Sequence, residues 1–220
     1  MSDLRLVLAR HGQTQANVDH VLDAVLPGPP LTVLGRAQAE ALGRELAEGV
    51  EGTVTGLYHS QAERARETAT IVGGHLGLEP VEVPGVHEAQ LGELQGRNDE
   101  PSIHEFRRVF DRWQEGDLDV AQPGGGESGR DVLERYRATV GDLRERHADG
   151  GTIVLVCHGA ALRLAAQDLA QRVGTPRGDE AHVANCGRVV LRPRGTVWEL
   201  VAWRHDVPGG LPATDDDPTG

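Results

Sequence analysis

Two short apolar runs, far apart in the chain, stop at the same dipeptide. Leu4-Arg5-Leu6-Val7-Leu8-Ala9 leads into Arg10-His11-Gly12, and Thr152-Ile153-Val154-Leu155-Val156-Cys157 leads into His158-Gly159. Near-continuous apolar runs of this length are the pattern of strands covered on both faces, as in a parallel sheet. As neighbouring strands they would deliver two imidazoles and a guanidinium to the crevice where open α/β sheets bind ligands. Gly12 lets the backbone turn sharply and pass close to a ligand, and the polar residues up to Asn17 supply donors at the start of a following helix. Such a loop suits an anion.

Strand and helix signals alternate along the chain. Residues 18–30 are irregular and close on the breaker Pro27-Gly28-Pro29-Pro30. Thr32 then reads as an N-cap, with Leu34, Ala37, Ala41, Leu42 and Leu46 at helical spacing as far as Gly49. Val54 to Tyr58 reads as a second strand, and residues 59–68 as a loop running into a helix that ends at the Gly73-Gly74 pair. Val81-Glu82-Val83 alternates as an edge strand does, and a loop with Glu88, Gly92 and Gly96 follows. Residues 97–122 are polar, yet Ile103, Phe106, Val109, Phe110 and Trp113 keep helical spacing, which predicts a helical insert capping the site. Ser128 and Asp131 form a capping-box pattern opening a helix over 129–147. A helix over 160–173 and a closing hairpin of 189–192 with 197–203 complete the pattern. The alternation predicts one α/β domain over residues 1–207, a three-layer α/β/α sandwich with a mostly parallel central sheet. Residues 208–220, with Asp215-Asp216-Asp217, have the composition of a disordered acidic tail.

No lysine occurs, so all 22 basic residues are arginines. That removes phosphate loops built on a lysine, and Schiff-base or pyridoxal phosphate chemistry, which needs an amine. Arginine is the side chain best shaped to hold phosphate oxygens in a fork. A net charge of -12 argues against nucleic acid as a partner, while a few arginines in a cleft make the local field that a small anionic substrate needs. Met1-Ser2-Asp3 leads into a strand without the apolar core of a secretory signal, and no apolar run approaches a membrane span. A cytoplasmic chain without a membrane partner is expected. Cys157 and Cys186 fit neither a disulfide scaffold nor a zinc site and are expected as reduced thiols. The ten histidines form no compact ligand cluster, so no metal is expected.

The candidates at strand ends, Arg10, His11, Asn17, Arg64, Glu88 and His158, share one chemical purpose. Two arginines and an amide can neutralise and orient a phosphoryl group, an imidazole can attack phosphorus in line, and a carboxylic acid can protonate the leaving oxygen. Arginine and protonated histidine would supply the positive charge in place of a metal ion. Taken singly, Arg64 reads as a helix-surface charge, His158 as a core histidine and Glu88 as a solvated loop acid. One reaction explains all three.

These residues resemble those of the histidine phosphatase superfamily, in the branch of cofactor-dependent phosphoglycerate mutases and related small phosphatases. Arg10-His11-Gly12 resembles its opening motif, with Thr14 and Asn17 in the extended form, and Leu31-Thr32 with Gly35, Gln38 and Ala39 its first-helix pattern. Ser60 with Arg64, Ala65 and Thr68 resembles the segment carrying its second phosphate arginine, and Glu88 with Leu91, Gly92, Leu94 and Gly96 the acid/base segment. Gly126-Glu127-Ser128 resembles a common loop and His158-Gly159 the second histidine; the likeness runs from Leu4 to about Trp203 in the family's own order. It implies that His11 is the nucleophile and becomes phosphohistidine. It implies that Arg10, Arg64 and His158, with Asn17, bind the phosphoryl oxygens, that Gln13 and Thr14 belong to the substrate-binding loop, and that Glu88 protonates the leaving group and then activates water. A small phosphorylated substrate, no cofactor and a homodimer are further implications.

Gln95 stands where many relatives have an aromatic residue, and Gln13 replaces a frequent acidic one, which bears on substrate preference. The longer insert and arginine-rich motif expected of a phosphoglycerate mutase are not evident between Glu88 and Pro123, so hydrolysis is expected over mutase-type transfer. Two other readings stay open. Cys157 and Arg163 have the spacing of the loop used by cysteine-dependent phosphatases, although Val156 and Ala160 depart from it, and a non-catalytic regulator would use the pocket only to bind phosphate. Arg97, Arg107, Arg108 and Arg112 are candidates to touch an anionic part of the substrate, and Asn185 to line the pocket.

Overall fold

The computed structural model describes residues 4–214 and 217–220, so the expectations for Met1-Ser2-Asp3 and for Asp215-Asp216 lie outside the described residues. Strands β1 (Leu4–Arg10), β2 (Val54–His59), β3 (Val81–Glu82), β4 (Gly151–Cys157), β5 (Arg188–Arg194) and β6 (Val197–Arg204) form one sheet in the order β3-β2-β4-β1-β5-β6. β1 and β4 pair in parallel with Leu4 opposite Gly151 and Arg10 opposite Cys157, so the two His-Gly dipeptides emerge at the same level of the sheet. β2 is parallel to both β4 and β3, while β5 and β6 add an antiparallel hairpin at the other edge.

Side chains alternate across a strand, and both sides of this sheet are covered. On one face Leu6, Leu8, Ile153, Leu155 and Cys157 pack with residues of α4 (Glu100–Glu115), α5 (Gly129–Arg146) and α6 (Gly159–Leu169), including Phe110, Trp113, Tyr136 and Leu162. On the other, Val7, Ala9, Val154 and Val156 meet Leu42 and Leu46 of α2 (Val33–Ala47) and Ala65 and Val72 of α3 (Glu63–Leu76). The three-layer sandwich with a mostly parallel sheet is therefore the fold. A short helix α1 (Gln15–Val18) follows the β1 loop.

The caps follow the sequence. Thr32 accepts from the Gly35 N–H at 2.9 Å, and Ser128 and Asp131 make both bonds of a capping box at α5. Two helix ends differ from expectation. α3 runs through Gly73-Gly74 and stops at Leu76, where Gly77 takes the left-handed conformation (φ 66°) that ends helices. α6 stops at Leu169 rather than near Val173, because Gln171 and Arg172 turn left-handed (φ 50° and 60°) and Arg172 donates to the Trp113 carbonyl at 2.9 Å. α4 occupies the 97–122 segment with Phe106, Val109, Phe110 and Trp113 buried in the larger core.

The stretch read from composition as a disordered acidic tail is described at residues 208–214 and 217–220. Pro208–Gly210 forms a 3-10 turn, and Asp217 and Thr219 are buried. Acidic composition alone cannot show that a buried cation awaits the segment; here Asp217 pairs with the Arg10 guanidinium. Among the described residues, no helix is long and apolar enough to cross a membrane.

Candidate active site

The loop after β1 is held from several sides. The His11 N–H donates to the Cys157 carbonyl at 3.0 Å, the Gly12 N–H to Thr68 Oγ1 at 3.0 Å, and the Gln13 N–H to Gln38 Oε1 at 2.9 Å. Gly12 and Gly35 lie back to back: a Cβ on Gly12 would meet the Gly35 carbonyl, and one on Gly35 the Gln13 carbonyl. Glycine at both positions lets the start of α2 sit directly on the loop. Asn17 Oδ1 accepts from the Thr14 N–H (2.9 Å), the Thr14 hydroxyl (3.0 Å) and Asn185 Nδ2 (3.3 Å), while Asn185 Nδ2 also donates to the His11 carbonyl at 3.2 Å. Asn185 thus braces the His11 loop, and Thr14 caps α1.

His11 lies 2.8 Å through Nδ1 from the Gly12 carbonyl, which can only accept, so Nδ1 carries the proton and Nε2 the lone pair. Arg64 Nε donates to that Nε2 at 3.2 Å. The two imidazole centroids are 5.2 Å apart, and His158 turns its Nε2 to Ser60 Oγ at 2.6 Å, while its Nδ1 is buried without a hydrogen-bond partner. Both imidazoles are held well below their ordinary value, first by burial and next by the Arg64 guanidinium. Protonation of either ring is thereby disfavoured, and the guanidiniums of Arg10 and Arg64 are the permanent positive charges beside them.

Glu88 is buried with its carboxylate against the start of α6. Oε1 accepts from the Ala89 and Ala161 N–H groups, each at 2.9 Å, and Oε2 from Ala160 at 3.1 Å. Arg135 fixes the backbone behind it, donating to the carbonyls of Gly85 (2.8 Å), His87 (2.7 Å) and Glu88 (3.2 Å) and pairing with Glu127 at 2.8 Å. Arg64 is held by Asp23, through Oδ2 at 3.5 Å and the carbonyl at 3.3 Å, and Gln95 donates to Asp23 Oδ1 at 3.2 Å. Gln95, in place of an aromatic residue, therefore orients the anchor of Arg64. Arg10 donates to the Val183 carbonyl at 3.0 Å and leaves Nε buried and unpartnered.

His11, His158, Arg10, Arg64, Glu88 and Asn17 thus come together at the ends of β1 and β4. Gln13 is engaged at both ends of its amide, accepting from Thr32 Oγ1 at 2.8 Å and donating to Thr214 Oγ1 at 2.9 Å. Sequence reasoning assigned no role to Asp23 or Arg135, and Ser60 and Thr68 entered only as members of a motif; Glu127 in the Gly126-Glu127-Ser128 loop was the one signal pointing toward Arg135.

Other candidates fall away. Cys157 is fully buried, its thiol 3.5 Å from the Ala9 carbonyl, and burial pushes its pKa up to about 12, while Arg163 stacks over Phe110 at 4.7 Å. A thiolate nucleophile cradled with Arg163 is excluded by that placement. Arg97 pairs with Asp99 (2.7 Å), Arg108 with Glu105 (2.7 Å) and Arg112 with Asp117 on the surface; Arg107 instead lines a cleft of about 360 Å³ with Phe106, Phe110, Arg163, His182 and Asp217. Among the described residues no three His, Cys, Asp or Glu gather as metal ligands. The assembled groups can hold a tetrahedral oxyanion between two guanidiniums and present a neutral imidazole lone pair to its centre.

A buried histidine pair flanked by arginines at the carboxyl ends of parallel strands defines a class of anion-handling sites, and comparison with known proteins gives the family. The family description "Histidine phosphatase superfamily (branch 1)" matches residues 6–206; the chain belongs to this superfamily, a class of phosphatase-type enzymes. It is 30% identical over 171 residues to a 2,3-bisphosphoglycerate-dependent phosphoglycerate mutase of Methylobacterium sp., covering 72% of this chain and 76% of the relative. The structure of a mycobacterial glucosyl-3-phosphoglycerate phosphatase complexed with VO3 superposes with a TM-score of 0.74 at 28% identity, covering 92% of this chain and 100% of the other. With the PE-PGRS family protein PE_PGRS11 of Mycobacterium tuberculosis the identity is 40% over 83 residues, 38% of this chain but only 14% of that protein's length.

Proposed function

We propose that this chain is a metal-independent phosphomonoester hydrolase acting through a phosphohistidine at His11 on a small phosphorylated metabolite of the sugar phosphate or phosphoglycerate type. The observation that carries the reading is the state of His11: Nδ1 is fixed by the Gly12 carbonyl, and the Nε2 lone pair lies beside Arg64 in a buried, neutral ring. An imidazole so held needs no base to become a nucleophile; its lone pair is freed when the Arg64 N–H turns from it to a phosphoryl oxygen.

In the first step His11 Nε2 forms a bond to phosphorus as the bond to the ester oxygen breaks, and the leaving oxygen takes a proton from Glu88. Oε2, with a single N–H donor against two on Oε1, is the oxygen with room for that proton. In the second step water gives a proton to Glu88 and its oxygen attacks phosphorus, the P–N bond breaks, and inorganic phosphate leaves. Arg10, Arg64 and His158, with the Asn17 amide, hold the equatorial oxygens throughout. The cleft with Phe106, Arg107 and His182 adjoins the site and would receive the remainder of the substrate under α4.

The test is phosphate release from a panel of phosphomonoesters without added metal, in wild type and His11→Ala, with rapid base quenching to trap phosphoenzyme. Release that disappears with His11, together with an acid-labile label on that residue, is the expected result. Label passed to a second hydroxyl instead of water would make the enzyme a mutase, and release surviving in His11→Ala would overturn the reading.

A further inference from the structure

Residues 212–214 and 217–220 do not lie free of the domain but bond to residues of the site and its neighbours. The Pro212 carbonyl accepts from Gln38 Nε2 at 2.9 Å, and Thr214 Oγ1 lies 2.9 Å from Gln13 Nε2 and 3.0 Å from Asn185 Oδ1. Asp217 then reaches the Arg10 guanidinium, and the Thr219 hydroxyl accepts from Arg10 Nη2 at 3.1 Å. The Thr219 carbonyl packs so closely on Gly159 that a Cβ there would collide with it, and Arg163 donates to the Gly220 carbonyl. Each anchor is a site residue or its immediate neighbour: Gln38 and Asn185 brace the His11 loop, Arg10 precedes His11, and Gly159 follows His158.

The chemistry of the contact is that of an anion ligand. A carboxylate and a hydroxyl, both buried, occupy the same guanidinium nitrogen, Arg10 Nη2. Asp217 and Thr219 close on each other, the Thr219 N–H and hydroxyl meeting Asp217 Oδ1 at 3.1 and 3.0 Å, so the segment presents a compact set of oxygens rather than a loose acidic strand. Asp217, Pro218 and Gly220 also line the cleft that would hold the rest of a substrate. Two anions cannot share one guanidinium edge in a buried site without a large repulsive penalty.

The geometry points to a binding site for an acidic peptide segment, supplied here by the chain itself, in which Asp217 takes the place of a substrate oxyanion on Arg10 and holds the enzyme closed to phosphate. The inference rests on the reading of Arg10 as a phosphoryl ligand. Phosphate and the segment are then competitors, and phosphate affinity is reduced by the fraction of molecules in which the segment is seated.

The experiment measures equilibrium binding of inorganic phosphate to the full chain by calorimetry, in wild type, Asp217→Ala, Asp217→Asn and, as a charge control on the exposed side of α5, Asp142→Ala. Asp217→Ala should bind phosphate about tenfold more tightly, as expected when a segment seated in some nine molecules of ten is released. Asp217→Asn should fall between, and Asp142→Ala should match wild type. In turnover, KM should fall by the same factor. Equal affinity in Asp217→Ala and wild type overturns the inference while leaving the phosphate site intact, and so does a matching gain in Asp142→Ala, which would reflect net charge alone. Absence of phosphate binding in every variant overturns both the inference and the reading of the site beneath it.

Discussion

The ends of β1 and β4 carry the same dipeptide on adjacent parallel strands, yet they do different things. His11 gives its Nδ1 proton to its own neighbour, the Gly12 carbonyl, and directs Nε2 to Arg64. His158 binds through Nε2 to Ser60, a residue delivered by the neighbouring strand β2, and keeps Nδ1 unpartnered. A histidine's role is thus set by whichever group takes its other nitrogen, and that group need not be near in sequence. On the proposed mechanism the ring whose proton is fixed locally is the nucleophile, and the ring oriented from a third strand is the oxygen clamp.

The strongest way to break this distinction is to delete each ring in turn. His11→Ala should lower kcat by at least about 10⁴-fold and abolish phosphoenzyme, since a nucleophile is lost outright. His158→Ala should cost roughly 10²–10³-fold, the range for removing one preorganised donor, while phosphoenzyme still forms slowly. Rapid-quench labelling of both variants separates the two roles; equal labelling would erase the difference. Arg64→Lys should lose nearly as much as Arg64→Ala, again roughly 10²–10³-fold in kcat/KM, because an ammonium cannot donate to His11 and grip Asp23 in the same geometry.

Stability against pH sharpens the part of the comparison the rings share. Both imidazoles are held well below the ordinary value of 6.5 by burial and by Arg64. As pH falls below 6.5 the unfolded chain takes up protons on these rings and the native chain does not. Stability is therefore full above that value and declines below it, by up to about 1.4 kcal/mol per pH unit for each ring. Urea unfolding between pH 7.5 and about 5.5 should show this slope, and His11→Asn or His158→Asn should each flatten it. Ser60→Ala should cost about tenfold in kcat/KM, the worth of one hydrogen bond that orients His158, with partial recovery in Ser60→Thr. Smallest of all, Cys157→Ser should leave kcat within about twofold and lower stability by about 1 kcal/mol, the usual scale for a buried polar exchange.

The strand ends were legible because burial on both faces writes itself as near-continuous apolar sequence, and the order of Arg10, His11, Arg64, Glu88 and His158 survives as motif. What sequence could not supply were partners set by topology: Ser60 for His158, Asp23 for Arg64, Arg135 for the backbone around Glu88. The early stop of α6 was hidden because Gln171 and Arg172 carry no glycine to announce left-handed backbone. Of the four arginines proposed to face a substrate, Arg97, just before α4, and Arg108 and Arg112 on it instead pair with acids on the surface. The buried cation that Asp217 meets, Arg10, lies far away in sequence and could not be read from an acidic composition.

The carboxylate of Glu88 is bonded to the backbone of Ala160 and Ala161, the residues that immediately follow His158 and Gly159 in the chain. Glu88 and His158, the proposed proton donor and oxygen clamp, are thereby both tied to the first turn of α6. Thermal breathing of the sheet, or a sideways shift of α6, carries both together, so the spacing between the breaking bond's proton source and its charge holder stays constant while the rest of the pocket flexes. A mutation that loosens α6 would then disturb Glu88 and His158 together, whereas one that loosens β1 would move His11 and Arg10.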